Sequence, residues 1–534
     1  MNHQTIETEV LIVGGGPVGL AMALELRYQG IDCLVVEQSD GVIDHPKVGT
    51  VGPRSMEIFR RWGVAQSVRD AGWPADHPLD VAWVTAVGKH EIHRLKFGTH
   101  AERTLPPHSP ESEHPCPHHW LVPLLMKELG IAPAGPINLN CRLESLESTQ
   151  QGIVGQIKFL ESGDTATVEA KYAVACDGAS SLIRKTCGID TLAHHPTRIF
   201  QNILFHAPEL PEILGSRRAL VFFMMTPDNL RYPLRSMDGV GLYRLTATPH
   251  EDGTLRDSEK AVKEAVGIDT PIEILSTSQW YLTHRVATDY QSGNIFFVGD
   301  SAHTLSPSGG FGMNTGVSDA LDLGWKLAAV LRGWASSQLL ETYQTERHPL
   351  AVAAVEEANL NLERTIKRTL PPEIMLDSPE GERARAQMTE KMKNSDVNRE
   401  FNAPGIHFGF YYESPAIATE PEKPPVQKPD EWTPTSYPGS RAPHAWLEPN
   451  KSTLDLFGHG LVLLNFGDRD ITALIDTCQA KNVPLRTYQI DDREIAKIYE
   501  KTLVLVRPDG HVAWRGDNLP DDIDGTIDRI RGYF

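Results

Sequence analysis

The sequence predicts an α/β protein with a βαβ-based N-terminal domain, an inserted antiparallel sheet and a compact C-terminal α/β domain. Three observations predict this organisation. The N-terminus reads strand, helix, strand in "TEVLIVGG", "GPVGLAMALELRYQG" and "IDCLVVEQ". Residues 200–285 contain β-forming runs joined by turns. Strand and helix patterns alternate again after the proline-rich segment 413–442, and a chain of 534 residues is too long for one core.

Composition limits the function classes. Hydrophobic residues make up 40% and charged residues 23%, as in globular proteins. The formal net charge of −19 argues against nucleic acid or an anionic membrane as a partner, because both favour a basic surface. The six cysteines show no CxxC spacing, which indicates reduced thiols. With no signal sequence and no long apolar run, we expect a cytoplasmic protein that does not span a membrane.

A glycine loop follows the first predicted strand. Gly14-x-Gly16-x-x-Gly19 opens a helix, where a pyrophosphate can approach the backbone at the positive helix end. Glu37 ends the second strand, eighteen residues past Gly19, where a carboxylate can accept hydrogen bonds from a ribose. A tight turn without a ligand would not explain Glu37. The pattern therefore predicts a Rossmann-like, dinucleotide-binding domain.

Two more segments place an acid after an apolar strand. The first is "CDGASSLIR" (176–184), which can also be read as a plain Asp-Gly turn and helix cap. The second is "GDSAHTLSPSGGFGMN" (299–314), in which Asp300 could accept from a sugar hydroxyl. The amides of Gly310 to Asn314 begin a helix and could stabilise a developing negative charge. A glycine-rich helix entry without a ligand is the alternative.

The order of these three motifs resembles the class A FAD-dependent aromatic hydroxylases of the para-hydroxybenzoate hydroxylase type. "DHPKVGTVGPRSMEIFRRWG", "ETYQTERHPLA" and "PGSRAPHAWL" are similar to its phenol and chlorophenol hydroxylase branch. The final domain resembles the thioredoxin-like C-terminal domain of that branch, which also lacks CxxC. The resemblance implies an FAD-binding domain (1–75, 105–185 and 286–400), a substrate-binding β-sheet domain (76–104 and 186–285), a linker (401–438) and a thioredoxin-like domain (439–534).

The resemblance also implies which residues contact non-covalently bound FAD. His118 stands where the family usually has a glutamine that touches the flavin, and a histidine can still donate one hydrogen bond. The implied cofactor-binding residues are Gly14, Gly16, Pro17, Val18, Gly19, Glu37, Gln38, Lys47, Arg54, His118, Asp177, Asp300, Pro307, Gly310, Gly312, Met313 and Asn314.

The implied activity is a single-component monooxygenase that hydroxylates a phenolic small molecule with NAD(P)H and O₂ through a flavin hydroperoxide. NAD(P)H is expected to bind transiently because no second GxGxxG is present. A general base would activate a phenol. Among candidates without a motif (Arg231, Tyr232, Arg235, Tyr243, Trp280 and His284), we name His284, Tyr232 and Arg231, with His284 first because it lies sixteen residues before Asp300. An ordinary structural role is the alternative for each.

Other functions stay open on this fold. A flavin epoxidase or Baeyer–Villiger oxygenase would use the same FAD loops, and a non-catalytic FAD-binding assembly module is the alternative outside the enzymes. A halogenase is disfavoured because no WxWxIP-like segment is present. Metal binding is not expected, since the histidine clusters lack HxH or HExxH spacing. The aromatic substrate and the choice between NADH and NADPH stay open, and a homodimer is expected by resemblance only.

Overall fold

The computed structural model describes residues 4–534 except 48, 131–134, 136, 228–232, 251, 367–369 and 427. The first third of the chain contains β1 (Gln4–Val13), α1 (Pro17–Tyr28), β2 (Cys33–Val36), β3 (Thr50–Val51), α2 (Pro53–Arg61), α3 (Ala65–Arg69), β4 (Val81–Val84), β5 (Glu91–Leu95), β6 (His114–Pro115), α4 (His118–Leu129), β7 (Ile137–Asn138), β8 (Cys141–Thr149), β9 (Gly152–Phe159), β10 (Thr165–Ala175) and α5 (Leu182–Thr186).

The middle of the chain adds long strands and then long helices. Its elements are β11 (Thr191–His206), α6 (Leu210–Leu214), β12 (Val221–Met224), β13 (Pro233–Ser236), β14 (Leu242–Ala247), α7 (Ser258–Val266), β15 (Glu273–Ala287), β16 (Gln291–Ser292), β17 (Ile295–Phe297), β18 (His303–Thr304), α8 (Phe311–Leu331), α9 (Thr342–Ile366), α10 (Pro379–Lys393) and α11 (Pro404–Phe408).

The C-terminal part is a small α/β unit. It consists of β19 (Trp446–Glu448), β20 (Lys451–Ser452), β21 (Leu461–Asn465), α12 (Thr472–Ala480), β22 (Leu485–Gln489), α13 (Arg493–Tyr499), β23 (Leu503–Val506), β24 (Val512–Gly516) and α14 (Ile523–Ile530). Four of its strands form a sheet in the order β22-β21-β23-β24. Leu461 and Leu463 of this sheet share a hydrophobic cluster with Trp325 and Ala329 of α8, so the unit packs directly on the long helix.

The first sheet has parallel strands at its centre, in the order β16-β17-β10-β1-β2-β7, with β8 and β9 attached to β10. Val13 pairs with Val36 and with Ala175, and Ala175 pairs with Phe297. The carboxyl ends of four strands therefore lie in one row. Ligands of α/β sheets bind at this edge, and the glycine loop, Glu37 and both acid-bearing motifs follow directly after it.

The second sheet is mostly antiparallel, in the order β18-β15-β11-β14-β13-β12-β4-β5. One of its faces packs on α7 through a cluster that includes Phe222, Tyr243 and Leu245. We call the opposite face the inner face. Phe200 and Leu282 on this face pack against Leu362 of α9. The α/β class with an inserted antiparallel sheet is confirmed, whereas the domain boundaries stay a prediction.

The segment 401–438, expected to be a linker, is partly structured. It contains α11, and Phe408, Tyr412, Ala416 and Ile417 within it are buried. Among the helices within the described ranges, none combines the length and apolarity needed to cross a membrane.

Candidate active site

The glycine loop is shaped by close backbone contacts. Gly14 has φ +110°, and a Cβ there would lie 2.3 Å from the Cys176 carbonyl oxygen. A Cβ on Gly19 would lie 1.9 Å from the Gly14 carbonyl oxygen. By contrast, a Cβ on Gly16 would meet no atom within 4 Å. The loop is therefore closed against the protein but open beside Gly16, at the start of α1, as a pyrophosphate would require.

Glu37 fixes the neighbouring turn. Its Oε2 accepts a hydrogen bond from the Gly15 amide at 2.6 Å, and its Oε1 accepts one from the Ser39 amide at 2.8 Å. Each carboxylate oxygen has a second lone pair, so both can also accept from a ribose hydroxyl. Gln38, the next residue, is exposed.

The motif at 176–184 supports the loop that carries Asp300. Nη1 of buried Arg184 donates to the Ser301 carbonyl oxygen at 2.6 Å. Asp177 accepts from the Ile183 amide through Oδ2 at 3.2 Å, while its buried Oδ1 has no hydrogen-bond partner among the described residues. The arginine thus has a structural role, and one oxygen of Asp177 remains available at the sheet edge.

Lys47, His118 and Asp300 come together above that edge. Lys47 Nζ lies 3.7 Å from Asp300 Oδ2, and the Lys47 carbonyl oxygen accepts from the His118 amide at 3.2 Å. Burial, reinforced by Lys47 and Arg244, lowers the pKa of His118 to about 3. The imidazole is therefore neutral near pH 7 and can donate one hydrogen bond.

The start of α8 opens toward the same crevice. Pro307 and Gly310 are exposed, and Gly312 and Met313 are partly exposed. The Asn314 side chain accepts from the Gly52 amide at 2.7 Å and donates to the carbonyl oxygens of Thr50 and Gly310 at 3.1 and 2.7 Å. Its amide group is therefore used to join α8 to α2, and the backbone amides of the first turn remain for a ligand.

Arg54 lies deeper than the sequence suggested. Its buried guanidinium donates to Glu57 Oε2 and to the Asp509 carbonyl oxygen, both at 3.0 Å. These bonds tie α2 to the C-terminal unit. The residue also borders a small cavity of about 60 Å³ with Phe311, Arg347 and His407. A contact between Arg54 and the cofactor stays a prediction.

Asp319, which sequence reasoning missed, holds the Asp300 loop. Its Oδ2 accepts from the Gly299 amide at 3.2 Å and lies 2.7 Å from His303 Nε2, and its Oδ1 accepts from Arg347 Nε at 2.7 Å. Burial disfavours the charged carboxylate, but Arg347 and His303 outweigh it and lower the pKa of Asp319. An acid inside the apolar pattern of α8 was the available sequence signal.

Asp322, one turn beyond Asp319 on α8, forms an acidic cluster with Glu346 of α9 and Asp509 of the C-terminal unit. The carboxylate oxygens of these three residues are close enough together to hold a metal ion. Lys326 Nζ lies 2.7 Å from Asp322 and 2.8 Å from Glu346. Arg507 contacts all three acids. The cluster is thus neutralised by the side chains of the protein itself.

The inner face of the antiparallel sheet carries two arginines side by side. Arg235 on β13 pairs in register with Arg244 on β14. Arg244 is buried, donates through Nη1 to the Pro46 carbonyl oxygen at 3.2 Å, and has no partner for Nε among the described residues. Burial and the neighbouring Arg235 lower the pKa of Arg244 to about 9, so it remains a cation. Arg235 was one of six weak candidates, and Arg244 was missed.

His284 lies apart from the two arginines. It pairs in register with His195, whose ring centroid is 5.2 Å away, and burial lowers the pKa of His284 to about 4. Along β15 it is eight residues, or roughly 26 Å, from Ser276, which lies in the row of Arg244. Tyr232 and Arg231 lie outside the described residues. The catalytic role of all three stays a prediction.

Comparison with known proteins identifies the family. Residues 7–358 match the family model described as "FAD binding domain", and residues 435–533 match "Aromatic-ring hydroxylase, C-terminal". A putative polyketide hydroxylase of Streptomyces halstedii is 32% identical, with 95% of this chain and 93% of that protein covered. The phenol 2-monooxygenase of Pseudomonas sp. is 30% identical, with 97% and 91% covered.

Among solved structures, RebC soaked with chromopyrrolic acid and holding 7-carboxy-K252c is 54% identical, with a TM-score of 0.96 and 99% and 100% of the two chains covered. Another RebC structure was soaked with K252c. The chain therefore belongs to the FAD-dependent aromatic-ring hydroxylases. It is a flavoprotein monooxygenase that uses FAD with NAD(P)H as co-substrate and binds a small aromatic molecule, which confirms the predicted fold, cofactors and enzyme class.

Proposed function

We propose that this monooxygenase oxygenates a polycyclic aromatic substrate that carries a carboxylate, bound between the inner face of the antiparallel sheet and the FAD loops. The observation that supports this most directly is the pair Arg235 and Arg244. Like charges at directly opposed positions of two strands repel each other. The Arg235 side chain has no hydrogen bond or ion pair to any residue in the described ranges. Burial lowers the pKa of Arg235, although the charge of nearby Glu400 opposes this shift. A bidentate carboxylate would satisfy both guanidiniums.

The width of the inner face supports a substrate larger than a phenol. Val221, Arg235, Arg244, Leu204 and Ser276 form one row across five strands. Four strand spacings of about 4.8 Å make this row roughly 19 Å wide. A single phenol ring would fill only a fraction of that width, whereas several fused rings would match it.

Stacked aromatic pairs lie toward both sides of the row. Trp83 and Phe223 stack with their ring centroids 5.4 Å apart, in a cluster with Met388 of α10. Phe200 and Trp280 stack at 5.5 Å on the other side. Flat apolar walls with few polar groups are typical of sites for aromatic ligands. RebC, solved with 7-carboxy-K252c, supports the same substrate class.

The residues at the sheet edge fit FAD. The open backbone at Gly16 would hold the pyrophosphate, Glu37 the adenosine ribose, and Asp300 the ribityl hydroxyls beside neutral His118. Gly312 and Met313 would face the ring system with their amides. When bound, FAD accepts a hydride from NAD(P)H and activates O₂ for transfer to the substrate.

The chain itself contributes binding, orientation and exclusion of water. Arg235 and Arg244 would anchor the substrate at its carboxylate, which fixes the ring that points toward the start of α8. The carboxylate would also neutralise the otherwise unpaired positive charges of these arginines. A homodimer and a cytoplasmic location stay predictions.

The test is NAD(P)H consumption by the purified FAD-loaded enzyme with 7-carboxy-K252c, K252c or phenol, with product masses followed in parallel. We expect faster consumption and an oxygenated product with the carboxylated compound. Arg244→Gln should weaken its binding by about ten-fold or more, because a hydrogen bond to a charged group contributes about 1.5–3 kcal/mol. Arg142→Gln, at a half-exposed position on β8, is the matched control. Equal binding of the carboxylated compound to Arg244→Gln and wild type would refute the assignment.

A further inference from the structure

A short segment joins the inner face to the FAD loops. We call residues 44–47 the strap. His45 Nδ1 lies 2.7 Å from Ser276 Oγ, and its Nε2 lies 3.3 Å from Ser278 Oγ. The two serines are two residues apart on β15, so their side chains point to the same face of the sheet, the inner face. The imidazole therefore spans two hydroxyls and fastens the strap to the sheet.

The next residue of the strap, Pro46, accepts a hydrogen bond from Arg244. The buried Pro46 offers its carbonyl oxygen to Arg244 Nη1 at 3.2 Å. A guanidinium has five N–H donors, and the Nε of Arg244 is buried without a partner among the residues described. A neutral carbonyl is a weaker acceptor than a carboxylate, which can take two of these donors at once.

The strap continues into the FAD side of the site. Lys47 pairs with Asp300 and accepts from the His118 amide, as described above. The position of the Pro46 carbonyl is therefore determined from both ends, by the serine contacts of His45 and by the contacts of Lys47. A carboxylate that takes the Nη1 donors of Arg244 has to move this carbonyl against both sets of contacts.

We propose that the Pro46 carbonyl is an internal competitor of the substrate carboxylate for Arg244, and that the His45–Ser276–Ser278 contact sets the strength of this competition. The inference rests on the proposed function. A ligand with a carboxylate displaces the strap, whereas a ligand without one leaves Arg244 bonded to Pro46. The strap thus determines how strongly the site discriminates between the two ligand types.

The test compares dissociation constants of 7-carboxy-K252c and K252c for the FAD-loaded enzyme by calorimetry. In the Ser276→Ala/Ser278→Ala variant we expect binding of the carboxylated probe to tighten about ten-fold relative to binding of K252c, equivalent to about 1.4 kcal/mol. Gln279→Ala, on the exposed side of the same strand, should change neither constant. A second readout is hydrogen exchange at the amides of His45 and Lys47, which the carboxylated probe should accelerate and K252c should not.

The outcomes separate the two proposals. If the carboxylated probe does not bind wild type, or binds Arg244→Gln equally well, the carboxylate site itself is wrong and the competition falls with it. If binding depends on Arg244 but the serine variant binds no more tightly, only the competition is wrong. Equal tightening for both probes would also overturn it, because the strap would then close over any ligand regardless of charge.

Discussion

Replacing Asp319 with asparagine should loosen the loop that carries Asp300. The carboxylate accepts from the Gly299 amide and Arg347 and bonds His303, all within 3.2 Å. Asparagine keeps the size of the side chain but removes the negative charge, so fully buried Arg347 loses its counter-charge. Breaking a buried ion pair on one side typically costs about 3–5 kcal/mol.

The pH dependence of this effect has a definite sign. The pKa of Asp319 is lowered in the folded protein, because Arg347 and His303 outweigh the effect of burial. The stabilisation is therefore fully present above the unfolded pKa of about 3.9 and is lost as the pH falls through the lower folded value. The stability difference between wild type and Asp319→Asn should therefore persist at pH 8 and shrink as the pH falls through that lower value.

The assay is release of FAD during urea unfolding, followed by flavin fluorescence. With a denaturant slope of about 3 kcal/mol/M, the midpoint should fall by about 1 M or more. Asp322→Asn is the matched control on the same helix: burial, together with Glu346, outweighs Lys326 and raises the pKa of Asp322, so an amide resembles its protonated form. Equal shifts in both variants, or no shift in Asp319→Asn, would refute the reasoning.

Two further predictions concern the glycine loop and the buried histidine. Gly19→Ala should prevent FAD loading, since its Cβ would lie 1.9 Å from the Gly14 carbonyl oxygen. Gly16→Ala should fold normally and weaken only FAD binding, because no protein atom lies within 4 Å of its Cβ; equal folded yield and equal FAD affinity in the two variants would contradict this. His284, with its pKa lowered from 6.5 to about 4, should make wild type lose about 2 kcal/mol of stability between pH 7.5 and pH 5. His284→Leu should lack this loss in unfolding experiments, and an unchanged pH dependence would count against a neutral buried imidazole.

The sequence indicated the cofactor loops because each is a local pattern. Gly14 to Gly19, Glu37 and Asp300 all follow a strand directly, and parallel strands bring their carboxyl ends to one edge. The arginine pair has no such pattern. Arg235 and Arg244 meet only because β13 and β14 pair in one particular register, and a shift by one residue would turn either side chain to the other face.

The strap was equally inaccessible to local reasoning. His45 reaches serines more than two hundred residues away along the chain, across the boundary between two sheets. The sequence marked residues 44–63 by resemblance, but Ser276 and Ser278 belong to an alternating strand that gives no polar motif. The choice of His284 as base stays a prediction for a similar reason: its distance from Asp300 along the chain does not fix its distance from the substrate along a long strand.

Buried charges explain why the C-terminal unit belongs to the active-site scaffold although it lacks a redox motif. Arg441 forms a bidentate pair with Glu57 of α2, and Arg507 pairs with Glu346 of α9. All four side chains are buried. Removing the C-terminal unit would leave Glu57 and Glu346 without these partners inside the protein, at a large cost in free energy. Because Glu57 also holds Arg54 of α2 and Arg507 also contacts Asp322 of α8, this unit stabilises α2, α8 and α9.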